Sequence, residues 1–242
     1  MPKVAPLNSK EILFEDNHLL VINKRAGLAT MGVEEDRPSL IVMAKEYVRQ
    51  KYNKPGNVYL GIVSRLDAKT SGAIVIARTS KAAARLTKQF KDRETKKLYW
   101  AIVGPDPRGN RLPNKGHFKN LMFKDEPAMR MRCVPDQHAN KKRGPKNAKE
   151  AKLSWTVIGE KDDAQLLQIE LHTGRKHQIR CQLAHAGFPV IGDQKYGSTS
   201  GFPGKGIALH SKSIEFAHPT LKTLLHFEVK APDCWKIADY NL

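Results

Sequence analysis

A short polar turn, Asp67-Ala68-Lys69-Thr70-Ser71-Gly72, separates two apolar runs, Val58 to Leu66 and Ala73 to Ala77. Runs of this length and character read as core strands. A polar loop held between core strands is where chemical groups can be kept in fixed geometry. Upstream, Glu11 to Lys24 reads as a β-hairpin, with Ile12-Leu13-Phe14 and Leu19-Leu20-Val21-Ile22 flanking Glu15-Asp16-Asn17-His18. After a turn at Gly27, Pro38-Ser39 opens a helix on which Leu40, Met43, Ala44, Tyr47 and Val48 share one face, ending before Pro55. Ser80 is placed as the N-cap of a second helix, with Ala83, Leu86 and Phe90 inward.

Farther along, Leu98 to Val103 and Leu166 to Leu171 read as strands, and a third helix starts near Lys176 with Ile179, Leu183 and Ala186 on one side and Gly187 as its stop. The runs Ile207 to Leu209, Ser213 to Phe216 and Leu224 to Val229 suggest further strands. Hairpins mixed with helices favour an α+β sheet over regular β–α alternation. From Pro105 to Glu150 periodicity fades while Lys, Arg, Pro, Gly and Asn accumulate, which predicts a basic, mobile insertion. Within it, Lys141, Lys142 and Arg143 could track a phosphate backbone or form a solvated basic loop.

Charge narrows the partner class. Lys and Arg number 42 against 24 Asp and Glu, a formal +18. Such a field favours polyanions, nucleic acid foremost. With 242 residues, 40% of them hydrophobic, the chain can bury a core as one large domain or two closely joined lobes. Cys133, Cys181 and Cys234 are far apart and odd in number, which argues against a disulfide framework or a Cys-rich zinc site and fits a reducing cytosol. No signal core or membrane-length apolar run is visible, so a cytoplasmic protein without a membrane partner is expected.

Three polar clusters end core elements: Arg65-Leu66-Asp67 with Thr70-Ser71-Gly72, Lys97-Leu98-Tyr99, and Thr173 to Arg180. Taken singly, Asp67 reads as a turn or cap residue, Tyr99 as a half-buried strand aromatic and Arg175 as a surface ion-pair partner. Jointly they resemble the RluA-like RNA pseudouridine synthases in order and spacing. Glu15-Asp16, Leu20 to Lys24 and Ala26-Gly27-Leu28 are similar to that family's opening strand, Arg65 to Gly72 to its catalytic loop, and Lys97, Tyr99, Ala101, Val103 and Gly104 to its tyrosine strand. Thr173-Gly174-Arg175 with His177-Gln178-Ile179-Arg180, Gly187, Pro189, Gly192-Asp193 and Tyr196-Gly197 resemble its longest motif, and Leu209-His210, Phe216 and His218-Pro219 complete it. Ser64, Arg25 and Gln182 depart from the usual residues, which leaves the subfamily and its RNA open.

The resemblance implies a single catalytic domain over 1–242 without an S4 module. Its fold would be a mixed, largely antiparallel sheet with flanking helices and a central catalytic cleft. It further implies a cofactor-free, metal-free isomerisation of uridine in ribosomal or transfer RNA, by a monomer. Asp67 would be the nucleophile on a flipped-out nucleotide, acting at the sugar C1′ through a covalent adduct or promoting loss of a sugar proton through a glycal; Arg175 would be its basic partner, and Tyr99 the residue stacked on uracil whose hydroxyl is a candidate for removing the C5 proton. Arg65, His177, Gln178 and Arg180 would bind RNA or orient the loop, beside Lys141, Lys142 and Arg143. Two rivals remain at the level of sequence. One is an RNA binder with this fold and no chemistry. The other is a metal-dependent nucleobase hydrolase or deaminase using His172, His177 and His185, whose spacings do not align on one helical face.

Overall fold

The computed structural model describes residues 5–32, 38–104, 108–135, 145–236 and 239–240. In chain order the elements are β1 (Ile12–Glu15), β2 (Leu19–Lys24), α1 (Leu40–Lys51), β3 (Gly61–Ile62), β4 (Ser71–Ala77), α2 (Ser80–Asp92), β5 (Lys96–Val103), β6 (Lys115–Asp125), β7 (Arg130–Cys133), β8 (Lys149–Lys161), β9 (Ala164–Leu171), α3 (Gln178–His185), β10 (Leu209–Ala217) and β11 (Leu224–Glu228). The described residues divide into two compact units, Met1–Lys97 with His210–Ala231 and Leu98–Leu209 with Pro232–Leu242. Helices and a mixed, largely antiparallel sheet make the fold α+β, as the sequence predicts.

In the first unit β2 pairs antiparallel with β1 on one side and with β4 on the other, from Leu19↔Ala77 to Lys24↔Gly72. The opposite edge of β4 takes β10 in parallel at Ser71↔His210 and Gly72↔Ser211, then β3 at Gly61↔Ala77. Leu19, Val21, Ala73, Val75 and Ala77 pack with Ala82 and Leu86 of α2 and with Ile214 and Phe216. The alternate residues Leu20, Ile22, Ile74 and Ile76 are equally buried. Burial on both faces is why these strands read as unbroken apolar runs.

Three expectations shift. Val58 to Leu66 is strand only at Gly61–Ile62; Val58, Leu60 and Leu66 are buried without a ladder, while Tyr59 is half exposed. The second helix is capped by Thr79, whose extended backbone lets its hydroxyl accept from Ala82 N at 3.2 Å, rather than by Ser80. The third helix begins at Gln178, because His177 sits at φ 52°, outside helical space.

The second unit is antiparallel throughout, in the order β5-β9-β8-β6-β7. The stretch 105–150, expected to lack regular structure, supplies β6, β7 and the start of β8. Its period of two is real: Lys115, His117 and Lys119 are exposed, while Gly116, Phe118 and Asn120 between them are partly covered. Charged residues on the open face hide that alternation from a hydrophobicity reading. Tyr99, Ile169, Trp155 and Gly116 form one cross-strand row. A Cβ on Gly116 would lie 2.2 Å from the Trp155 ring, so the indole occupies the space that glycine leaves.

Candidate active site

In the first unit Asp67 stands on a turn tied down at several points. Thr70 N donates to Asp67 O at 3.0 Å and closes the turn. One hydroxyl, Thr30 Oγ1, donates to Leu66 O at 2.7 Å and accepts from Leu66 N at 3.2 Å. Gly27, at φ 86°, donates its N–H to Ala68 O at 2.8 Å. Beneath them lies Lys24, with no accessible surface, its Nζ donating to Arg25 O (3.1 Å), Leu28 O (2.8 Å) and Ala68 O (3.3 Å). Three ammonium hydrogens thus meet three carbonyls. Burial pushes the Lys24 amine down to about 8; the Asp67 charge opposes that shift and Arg25 adds to it.

The turn is fastened on its exit side as well. Ser71 Oγ lies 2.8 Å from His210 Nδ1, and His210 Nε2 lies 3.3 Å from Val229 O. A carbonyl only accepts, so Nε2 carries the proton and Nδ1 accepts from the Ser71 hydroxyl. Burial pushes His210 down to about 4 and keeps it neutral. Gly72, at φ 112°, lies so close to β10 that a Cβ would sit 2.2 Å from Ser211 O. Between these fastenings Asp67 is half-buried and Arg65 exposed.

The other candidates are in the second unit. Tyr99 is buried in β5 opposite Ile169. The loop that carries Arg175 is organised by Gln178, whose Oε1 accepts from Thr173 Oγ1 (2.7 Å) and Arg175 N (3.0 Å) while Nε2 donates to Lys152 O (2.9 Å). Arg175 Nε donates to Glu150 O at 2.9 Å. Arg180 is buried in a two-point pair with Asp193, Nε to Oδ2 at 2.6 Å and Nη2 to Oδ1 at 2.8 Å. His177 Nδ1 lies 2.9 Å from Tyr196 Oη, which itself accepts from Met131 N at 3.1 Å. Desolvation pushes Tyr196 up to about 12, so its phenol stays protonated. Lys141, Lys142 and Arg143 lie outside the described residues. Among the described residues no three His, Cys, Asp or Glu side chains come together as a metal-ligand set.

A family model described as RNA pseudouridylate synthase matches residues 18–185, which take in the Asp67 turn, Tyr99 and the Arg175 loop. The chain belongs to this family. The synthase is 33% identical over 92% of its length, and 68% of the relative's, to an uncharacterised RNA pseudouridine synthase of Bacillus subtilis. It is 32% identical over 96% of its length, and 71% of the relative's, to ribosomal large subunit pseudouridine synthase D of Zymomonas mobilis. A solved structure titled human RNA pseudouridylate synthase domain containing 4 shares its fold, with a TM-score of 0.73 at 24% identity over 93% of this chain and 89% of that one. The synthase is thus an isomerase that converts uridine to pseudouridine in an RNA substrate. Among its described residues no helix is long and apolar enough to cross a membrane.

Lys24 and Thr30 are the site residues that sequence reasoning did not single out. Lys24 is visible only as one letter of the opening motif, and Thr30 not at all. The signal that could have found Lys24 is a lysine closing a strand that opens with four apolar residues, where a buried amine needs acceptors.

Proposed function

We propose that the synthase isomerises uridine in ribosomal RNA with Asp67 as the catalytic nucleophile. The observation that carries this reading is the fastening of the Asp67 turn: the backbone around a half-buried aspartate is held by a buried lysine, a threonine hydroxyl and two glycines. Preorganised geometry of this kind lowers a barrier by placing the reacting group before substrate arrives. The target nucleotide is flipped out of its stack, at a cost of a few kcal/mol offset by phosphate contacts. Asp67 then acts at the ribose as the C1′–N1 bond breaks, the uracil turns, C5 bonds to C1′, and the C5 proton is released. Bonding to C1′ and removal of a sugar proton both require Asp67 ionised.

Tyr99 offers its ring to the uracil, and Arg175 is the cation of the site. Arg65 and His177 contact the RNA backbone, together with Lys141, Lys142 and Arg143. Gln178 and Arg180 hold the Arg175 loop and α3 through their buried bonds rather than touching RNA. Ribosomal RNA is favoured over transfer RNA because relatives such as that of Zymomonas mobilis are named for the large ribosomal subunit. The synthase acts as a monomer in the cytoplasm.

Release of tritium from RNA labelled at uracil C5 tests the chemistry. Wild type should release label with purified protein alone, and Asp67→Asn should release none while binding the same RNA with nearly unchanged affinity. Label release by Asp67→Asn at wild-type rate would remove Asp67 from the role.

A further inference from the structure

We propose that Cys133 and Cys181 form an oxidation site, a buried thiol pair that hydrogen peroxide converts to a disulfide joining β7 to α3. This goes beyond the isomerase reading and does not rest on it. The two residues are 48 positions apart, yet their sulphurs are 3.7 Å from one another and both side chains are buried. They sit in one small cluster with Met122, Ala151 and Tyr196. Closing from 3.7 Å to a bond of about 2.0 Å requires a movement smaller than a rotamer change.

A cation accompanies the thiol pair. Arg130, three residues before Cys133 on the same strand, has a buried Nε with no hydrogen-bond partner among the described residues. The hydrogen bond from Cys133 holds the Cys181 thiol below its usual value against the effect of burial, and the Arg130 charge adds a smaller push in the same direction. A reactive thiol beside a second thiol and an arginine has the makings of an attacking and resolving pair. Access fits the small size of peroxide. Residues Arg130–Cys133 form a four-residue strand at the end of the second unit's sheet order, paired only to β6, so a modest opening of this edge exposes both sulphurs.

The chemistry balances. The Cys181 thiolate attacks one oxygen of hydrogen peroxide, the O–O bond breaks, hydroxide leaves and Cys181 becomes a sulfenic acid. The Cys133 sulphur attacks the Cys181 sulphur, the S–O bond breaks, and the hydroxyl departs as water with the Cys133 proton. Two thiols lose two electrons overall and peroxide is reduced to two waters. The bond closes β7 onto the helix that follows the Arg175 loop, and thiol reductants reopen it.

The test treats full-length native protein with stoichiometric hydrogen peroxide, blocks remaining thiols with an alkylating agent in denaturant, and maps peptides by mass. We expect loss of two of the three thiols, a Cys133–Cys181 linked peptide that dithiothreitol abolishes, and Cys234 alkylated in full. Cys133→Ser should trap Cys181 as a sulfenic acid captured by dimedone, and Cys181→Ser should abolish both adduct and link. Because either serine could disturb packing, Cys133→Ala and Cys181→Ala serve as second variants, with near-ultraviolet circular dichroism as the check on folding. The proposal is overturned if the native protein keeps three alkylatable thiols, if the link appears only after unfolding, or if oxidation falls on Cys234 instead.

Discussion

Lys24 shows how one side chain can hold a catalytic turn and what that does to its own proton. The amine is charged in the unfolded chain up to about pH 10.5 and in the folded protein only up to about 8. Between those values the unfolded state binds the extra proton, so rising pH favours the folded state. Wild type should therefore gain roughly 3 kcal/mol over Lys24→Met as pH rises from 8 to 10.5, measured by urea unfolding at each pH. A pH-independent difference would mean the amine is not desolvated. Residues of this sort were poorly legible in sequence. Asp67 stands out as a polar residue between core strands, but the groups that fix it come from 36 to 44 positions away through backbone carbonyls and amides, which carry no side-chain signature.

Elements were legible where one face or both are apolar, and illegible where polar residues cover the open face. The α1 stripe of Leu40, Met43, Ala44 and Val48 is buried as its 3.6 period predicts, and β2 and β4 follow from their continuous apolar runs. By contrast the first half of β6 alternates lysine and histidine with partly covered residues, and it reads as loop together with the first two residues of β8. Close approach between elements gives a sharper test. Gly72→Ala must displace the β10 backbone at Ser211 and should destabilise the synthase by about 3 kcal/mol or more. Gly32→Ala, also at positive φ but with nothing within 4 Å of its Cβ, should cost only about 1 kcal/mol. Equal losses in thermal or urea unfolding would refute the close packing of β4 on β10. The Arg180–Asp193 pair makes a comparable claim for α3. Arg180→Met leaves Asp193 buried and uncompensated and should cost about 3–5 kcal/mol in urea unfolding, with no change in the salt dependence of RNA binding. A stable Arg180→Met protein with a flattened salt dependence would return Arg180 to the RNA interface.

For the whole molecule, the formal charge of +18 anticipated an RNA partner, and family membership supplies one. Charge carries no information about which uridine is chosen, because sequence-specific RNA recognition depends on shape and splayed bases read by loops. Neutralising Lys141, Lys142 and Arg143 together should weaken RNA binding and reduce the slope of log affinity against log salt by up to about 2, with unfolding stability unchanged. An unaltered slope in filter binding across salt concentrations would confine that run to solvated surface. The most direct test of the central claim maps pseudouridine through the total RNA of cells lacking the synthase, complemented with wild type or with Asp67→Asn. The account predicts a defined ribosomal position that loses its pseudouridine and regains it only with wild type; restoration by Asp67→Asn would contradict it.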